Sequence, residues 1–413
     1  MKKLLWVCNI PLPDIQSIVG VRNYQEGWLV GISNQIRRRE DIDFYYAFPQ
    51  RRFKKVLRKT VNRIHFLGFY DLRENTYDIK QENIEHWKAL VEEIGPDIIH
   101  IFGTELPHSL EWVCGTEQKE KIIVSIQGLT AEIAKVYLQG IPFHTQINGI
   151  YKKRKYECLR NEQIEFYKRG MNEQVLLKLV KNVVGRTHWD RKCLKTINDR
   201  CKYYNCNEIL RNCFYEGTWD IADIQRHSIV ISQAYYPIKG FHILIAALPF
   251  IKRKYPDVKV YVAGIDVFTE KETPYGKYIC KMIKKLHLTD NIEFLGNLAE
   301  QKMKALLLKA HLMLMPSLIE NSPNSIGEAL LLGVPVVAAA VGGIPDLLSD
   351  GIEGFLYPAM NMEVLSQKVC QLFGDDHLAL HFSQNGKERA GQQYDRKRNG
   401  EQLLKIYDSI LES

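Results

Sequence analysis

Short apolar runs alternate with helix-length amphipathic segments along most of this 413-residue chain. In the first half the runs fall at residues 3–8, 43–48, 97–102 (DIIHIF) and 121–126 (KIIVSI), an alternation that predicts a parallel sheet. Residues 129–181 are charged and helical without a clear strand; Val183-Val184 then opens a further strand, followed by a helix over 189–196. A second series occupies 228–231, 258–263, 291–295, 311–315, 334–338 and 354–356, with helices such as 241–255 between the runs. The length exceeds what one core sustains. The pattern therefore predicts an α/β protein of two doubly wound, Rossmann-like domains facing a cleft, one over 1–219 and one over 220–395, with the helical segment 396–413 packing back on the first.

The densest chemistry lies in Glu320-Asn321-Ser322-Pro323-Asn324-Ser325-Ile326-Gly327-Glu328, between the strand 311–315 and the strand 334–338. Ser322 is an expected N-cap, Pro323 suits the first helical position, and Gly333 with Pro335 stops the helix. In open α/β sheets ligands gather beyond the carboxyl ends of strands, where helix-opening amides attract anions. Glu320 is expected in that crevice, with Glu328 reaching it to accept hydrogen bonds from vicinal hydroxyls such as a ribose. Taken alone, the segment fits equally a capped surface helix with two solvated carboxylates.

Lys239-Gly240 stands at the preceding strand-to-helix junction, where an ammonium would neutralise a departing diphosphate; a solvated loop lysine has the same local sequence. Gly342-Gly343 permits close backbone approach and offers amides to the same anion. In the first half, Thr104, Glu105 and His108 follow the strand 97–102, and Gln127-Gly128 follows 121–126, positions suited to an acceptor pocket. Arg186 closes a later strand and is expected to reach an anionic ligand across the cleft, whereas His100, within a strand, reads as a core histidine. Gly20 and Gly27-Trp28 lack the dinucleotide G-x-G-x-x-G spacing.

The net charge of +8 is uneven: residues 1–219 hold 35 Lys and Arg against 26 Asp and Glu, and the remainder 21 against 22. Basic clusters at 37–39, 51–59 and 152–155 favour an anionic partner, either a membrane surface or an acidic acceptor, and no nucleic-acid-binding motif accompanies them. The nine cysteines contain no C-x-x-C pair, and Cys201, Cys206 and Cys213 lack zinc-ligand spacing. No apolar stretch reaches the roughly 18 residues that spanning needs. The N-terminal KKLLWVC reads as a first strand because its apolar run ends at Asn9 and Pro11. The expectation is a cytoplasmic protein in peripheral contact with the inner face of the membrane.

Lys239-Gly240, the Glu320–Glu328 spacing with its Asn-Ser-Pro-Asn-Ser interior, Gly333-Val334-Pro335-Val336-Val337 and Gly342-Gly343-Ile344-Pro345 together resemble the donor half of the retaining glycosyltransferases of family 4, which have the GT-B architecture. The resemblance implies that Glu328 holds the ribose, that Glu320 and the amides of Asn321, Ser322, Asn324 and Ser325 contact the donor sugar and phosphates, and that Lys239 stabilises the leaving diphosphate. It implies no metal and no other cofactor, a nucleotide-diphosphate sugar donor, a saccharide or glycolipid acceptor, and a role in cell-surface polysaccharide or glycolipid synthesis. Two positions depart from the family: Gln233 or a neighbour stands where an Arg is usual, and Gln127 where a His is frequent. The competing readings are a nucleotide-sugar-binding protein without catalysis and a sugar-nucleotide epimerase on the same fold.

Overall fold

The structure is a computed structural model and describes residues 1–20, 27–71, 75–152, 155–264 and 273–412, so that Lys153 and Arg154 of the 152–155 run lie outside the described residues. The chain divides into two compact units, Met1–Glu132 with Glu165–Leu210 and Tyr394–Ser413, and Ile133–Ile164 with Arg211–Gln393.

In the first unit eight strands lie side by side in the order Lys202–Asn205, Asn182–Gly185, Ile122–Ser125, Ile98–Phe102, Lys2–Val7, Ile42–Gln50, Ile64–Tyr70 and Leu57–Val61. All neighbours are parallel except the last pair. That pair is a hairpin within a region read from sequence only as a basic run. Its two-residue turn places Asn62 at φ 48° and Arg63 at φ 66°, a left-handed pair that an Asn-Gly would have announced and Asn-Arg conceals. Arg58, Lys59 and Thr60 are exposed on this edge strand, where charge discourages pairing with another chain. The strand Lys202–Asn205 and the short hairpin Ile150–Lys152 with Lys155–Glu157 were likewise absent from the sequence pattern.

Strands covered on both faces read as continuous apolar runs, as Lys2–Val7 and Ile98–Phe102 do. Trp6 packs edge-on against Phe44 at 4.9 Å and Phe102 at 4.7 Å between ring centroids. The helix Arg396–Leu411 inserts Leu403, Ile406, Tyr407 and Ile410 into this core, an i, i+3, i+4, i+7 spacing that aligns one face of a helix. The Tyr407 hydroxyl accepts the Trp6 indole N–H at 3.0 Å and lies 2.6 Å from His100 Nδ1, whose Nε2 lies 2.7 Å from Ser125 Oγ. Burial pushes the His100 pKa down to about 3, so it is a neutral structural hinge point of the core.

The second unit holds six parallel strands ordered Ile292–Gly296, Lys259–Ala263, Ser228–Ile231, Leu312–Met315, Val336–Ala339 and Gly354–Tyr357. Chain order reverses direction between Ser228–Ile231 and Leu312–Met315, which makes their junction the topological switch point.

The boundary expected at 219/220 falls instead at Leu210/Arg211, because residues 211–219 are tied to the second unit. The Trp219 amide donates to Leu332 O at 2.8 Å and its indole N–H to Ala310 O at 2.7 Å. Residues 133–164, expected in the first domain, also group with the second: His242 Nε2 lies 3.0 Å from Gln139 O, and Gly140 packs against Met360 and His242. Among the described residues no helix is long and apolar enough to cross a membrane.

Tyr407→Phe leaves the Trp6 indole N–H and His100 without their shared partner in a dry core. The expected loss is on the order of 2 kcal/mol of stability, read as a lower denaturation midpoint in urea; an unchanged midpoint would show that this hydroxyl does not anchor the C-terminal helix.

Candidate functional site

Three loops converge at the carboxyl ends of the strands flanking the switch point. After Ser228–Ile231 the chain forms a 3-10 turn, Pro237–Lys239, and Gly240 reverses it at φ 66° to start the helix Phe241–Lys254. A Cβ on Gly240 would sit 1.8 Å from Pro316 O, so only glycine lets this loop lie against the one after Leu312–Met315. The Leu318 amide donates to Ile238 O at 2.7 Å and fastens the two. From Val336–Ala339 comes the third loop, in which Gly342 (φ 53°) would carry a Cβ 1.9 Å from Glu320 O, and the Gly343 amide donates to that same oxygen at 3.0 Å.

This convergence brings Lys239 and Glu320 together: Lys239 Nζ donates to Glu320 Oε1 at 2.6 Å, and Ser317 Oγ donates to the same atom at 2.8 Å. Both side chains of the ion pair are largely but incompletely buried, at 20% and 11% exposure. Gln233 lies exposed in the loop that carries Lys239. Asn321 and Ser322 are buried, while Asn324 and Ser325 are half-buried at the start of the helix Asn324–Leu332.

Ser322 was expected to cap that helix. Pro323 occupies the N-cap position instead, in extended conformation at φ −70° and ψ 116°, and makes no side-chain cap hydrogen bond, because a proline has no side-chain oxygen to fold back. The positive end of the helix dipole lies at this position. Gly333 ends the helix in the left-handed conformation at φ 79°.

Glu328, one turn further along, is buried and held by a residue that sequence reasoning missed. Arg211 Nε and Nη2 donate to its two carboxylate oxygens, each at 2.6 Å. The guanidinium stacks on Phe214 with 4.7 Å to the ring centroid, which fixes its plane. Arg211 lies 117 positions upstream, within the span assigned from sequence to the first domain, and nothing local in the sequence marks it.

In the first unit, Arg186 does not have the reach expected of it. It is buried, its Nη1 pairs with Glu208, and its Nη2 donates to Gln127 O at 3.0 Å and Ile126 O at 3.2 Å, so its charge is spent on closing two strand ends. Thr104 is likewise committed, donating to Glu173 Oε2 at 2.7 Å and Gly128 O at 3.3 Å. Glu173 in turn accepts the Thr130 and Ala131 amides at 3.0 and 3.1 Å, capping the helix Thr130–Val136. These contacts set Gly128 and Thr104 in a structural network at the strand ends, while Gln127 and Arg186 line a small cavity of about 40 Å³ with Trp28 and Phe102.

His108 and Glu105 are placed differently. A cavity of about 720 Å³ within the first unit is lined by His108, Asn9, Gln50, Arg51, Arg52 and Asp71, among others. Asn9 bridges the pair: its Oδ1 lies 2.9 Å from His108 Nε2 and its Nδ2 donates to Glu105 Oε1 at 2.5 Å. His108 Nδ1 lies 3.8 Å from Asp71 Oδ2. Burial of its carboxyl, with Glu173 adding repulsion, pushes the Glu105 pKa up to about 7. A carboxyl poised there exchanges a proton near neutral pH.

Two parallel-sheet units with these elements define a GT-B fold. The chain is similar to sucrose-phosphate synthase from Thermosynechococcus elongatus (TM-score 0.74, 14% identity, 99% of each chain covered). It is also similar to Anabaena HepE in complex with UDP-glucose (TM-score 0.68, 17% identity, 99% of this chain and 100% of that one). Residues 224–389 match the family described as glycosyl transferases group 1. Over 184 residues it is 29% identical to the phosphatidylinositol N-acetylglucosaminyltransferase gpi3 subunit of Schizosaccharomyces pombe, a match covering 44% of this chain and 38% of that protein. The chain thus spans well under half the length of that relative.

Gly342→Ala sets a Cβ against Glu320 O on a left-handed backbone and is expected to cost on the order of 3 kcal/mol, whereas Gly391→Ala, with nothing within 4 Å of its Cβ, costs nothing; equal melting temperatures for the two variants would dissolve the clasp. For Glu105 the folded pKa of about 7 exceeds the ordinary 4.5, so the native state holds the extra proton and stability falls as pH rises from 4.5 to 7. Glu105→Gln is expected to remove that slope and to gain on the order of 2–3 kcal/mol over the wild type at pH 8, with little difference at pH 4.5, in urea titrations across that range.

Proposed function

We propose that this protein transfers a sugar from a nucleoside diphosphate sugar to an acceptor hydroxyl, with retention at the anomeric carbon, in the synthesis of a polysaccharide or glycolipid. The observation that carries the reading is the pairing of Lys239 with Glu320 at the switch point, beside the start of a helix whose N-cap, Pro323, makes no side-chain cap hydrogen bond. Such a site suits a diphosphate: amide dipoles take its charge without reorganising, and the lysine ammonium has two further N–H donors beyond the one given to Glu320. The match of residues 224–389 to the glycosyl transferases group 1 and the likeness to HepE, which was crystallised with UDP-glucose, support the donor class.

In this reading Glu328 receives the ribose. Arg211, which donates to both carboxylate oxygens of Glu328, is then a positioning residue that orients the acid. The acceptor occupies the first-unit cavity beside His108. The leaving phosphate oxygen takes the proton of the incoming hydroxyl on the same face of the sugar, since no well-placed nucleophilic carboxylate is evident in the first domain. Amides and one ammonium stabilise the departing charge, so the proposal calls for no metal. The basic first half is consistent with peripheral contact with an anionic membrane.

One observation favours a second reading, a nucleotide-sugar-binding protein without turnover: Gln233 brings no charge, and Arg186 is already neutralised by Glu208. Release of nucleoside diphosphate that depends on added acceptor separates the two, because a pure binder shows calorimetric donor binding and no release.

Lys239→Ala is expected to lower kcat about a hundredfold with the fold intact, as removal of one preorganised anion stabiliser does. Glu328→Ala is expected to weaken nucleoside diphosphate binding at least about tenfold by calorimetry, with a smaller effect on kcat. Unchanged kcat in the first or unchanged affinity in the second removes that residue from its role.

A further inference from the structure

The helix Leu159–Leu179 carries a solvent-facing stripe that the transferase reading does not use. Ile164, Tyr167, Met171, Val175 and Leu179 follow one another at three- and four-residue spacing, and all are 40–68% exposed. On a helix these positions share one face. The opposite face is buried in the protein: Gly170 lies against the backbone of Ala131, and Leu176 and Leu177 are sealed in the core. The stripe is therefore not a misplaced core face.

The charges beside it have one sign. Arg160, Lys168 and Lys178 are exposed on the same face, and Lys181 follows just beyond the helix end. The three glutamates of the helix avoid that face: Glu162 and Glu165 are half-buried on its flanks and Glu173 is buried. Twenty-one residues give a ridge about 30 Å long. Apolar side chains interleaved with long cationic ones describe a surface that inserts its hydrocarbon among acyl chains while its ammonium and guanidinium groups stay at headgroup level. A protein partner would need an equally long acidic and apolar groove, whereas an anionic bilayer supplies both features at any position along it.

We infer that the exposed face of the helix Leu159–Leu179 is a docking surface for an anionic lipid bilayer, on which the protein rests with this helix parallel to the membrane plane. The inference rests on the membrane contact included in the proposed function and names the surface that makes it, and it is tested by lipid binding alone, so that its failure leaves sugar transfer untouched.

The test is sedimentation of the full chain with vesicles of phosphatidylcholine, either alone or mixed with phosphatidylglycerol. Retention is expected only on the mixed vesicles, and weakening as salt rises from about 0.1 M to about 1 M, where screening shortens to roughly 3 Å. Met171→Glu with Val175→Glu is expected to lower vesicle affinity on the order of tenfold at an unchanged melting temperature, because both side chains already face solvent. Lys168→Glu with Lys178→Glu is expected to do the same through charge, and Leu380→Glu, an exposed position on another helix, to have no effect. Failure of the wild type to sediment with either vesicle, equal retention on neutral lipid, or full retention of both double variants overturns the proposal. So does light scattering that shows a wild-type dimer dissociated by Met171→Glu with Val175→Glu, which would assign the stripe to a second copy of the chain.

Discussion

The closeness of three backbone loops at one sheet end governs the second unit. Gly240 touches Pro316 and Gly342 touches Glu320 at separations no side chain permits, and both glycines sit in left-handed conformations. Only with that approach do the ends of three neighbouring strands bring Lys239, Glu320 and the start of the helix Asn324–Leu332 to one place. The ion pair is the consequence of the clasp: a lysine and a glutamate 81 positions apart meet because two glycines let the main chain pass beneath them.

Most of the architecture was legible because strands buried on both faces announce themselves as apolar runs, as Leu312–Met315 and Ile98–Phe102 do. The elements that escaped are those whose signal is not hydrophobic. The edge strand Leu57–Val61 is dominated by cations, its turn uses Arg63 where glycine would be the cue, and Lys202–Asn205 is a half-exposed edge. At the site, Lys239, Glu320, Gly342 and Gly343 were readable because each lies in a junction after a strand, a position that topology alone makes informative. Arg211 was not readable, since its meaning depends on a carboxylate 117 residues away. Arg186 misled for the same reason: the sequence displays a cation at a strand end, and only three dimensions reveal Glu208 beside it.

Three charged pairs are mated before any ligand arrives: Lys239 with Glu320, Arg211 with Glu328, Arg186 with Glu208. Partly buried charges are costly alone, so such pairing lets them sit within a sheet end without unfolding it. Under the proposed function it also means that a diphosphate meets oriented dipoles and nearly neutral pairs, and gains most when its own charge grows as the bond to the sugar breaks. That is the differential stabilisation an anion-releasing reaction requires.

The C-terminal helix places Leu403, Ile406, Tyr407 and Ile410 among residues from the first fifty of the chain. Trp6 and its hydroxyl acceptor Tyr407 lie 401 positions apart, so the contact between them closes a very long loop, at an entropic cost that grows only slowly with its length. Without that helix the sheet around Trp6 has an open apolar flank. The first unit is thus completed by a segment that the chain supplies from beyond the whole second unit.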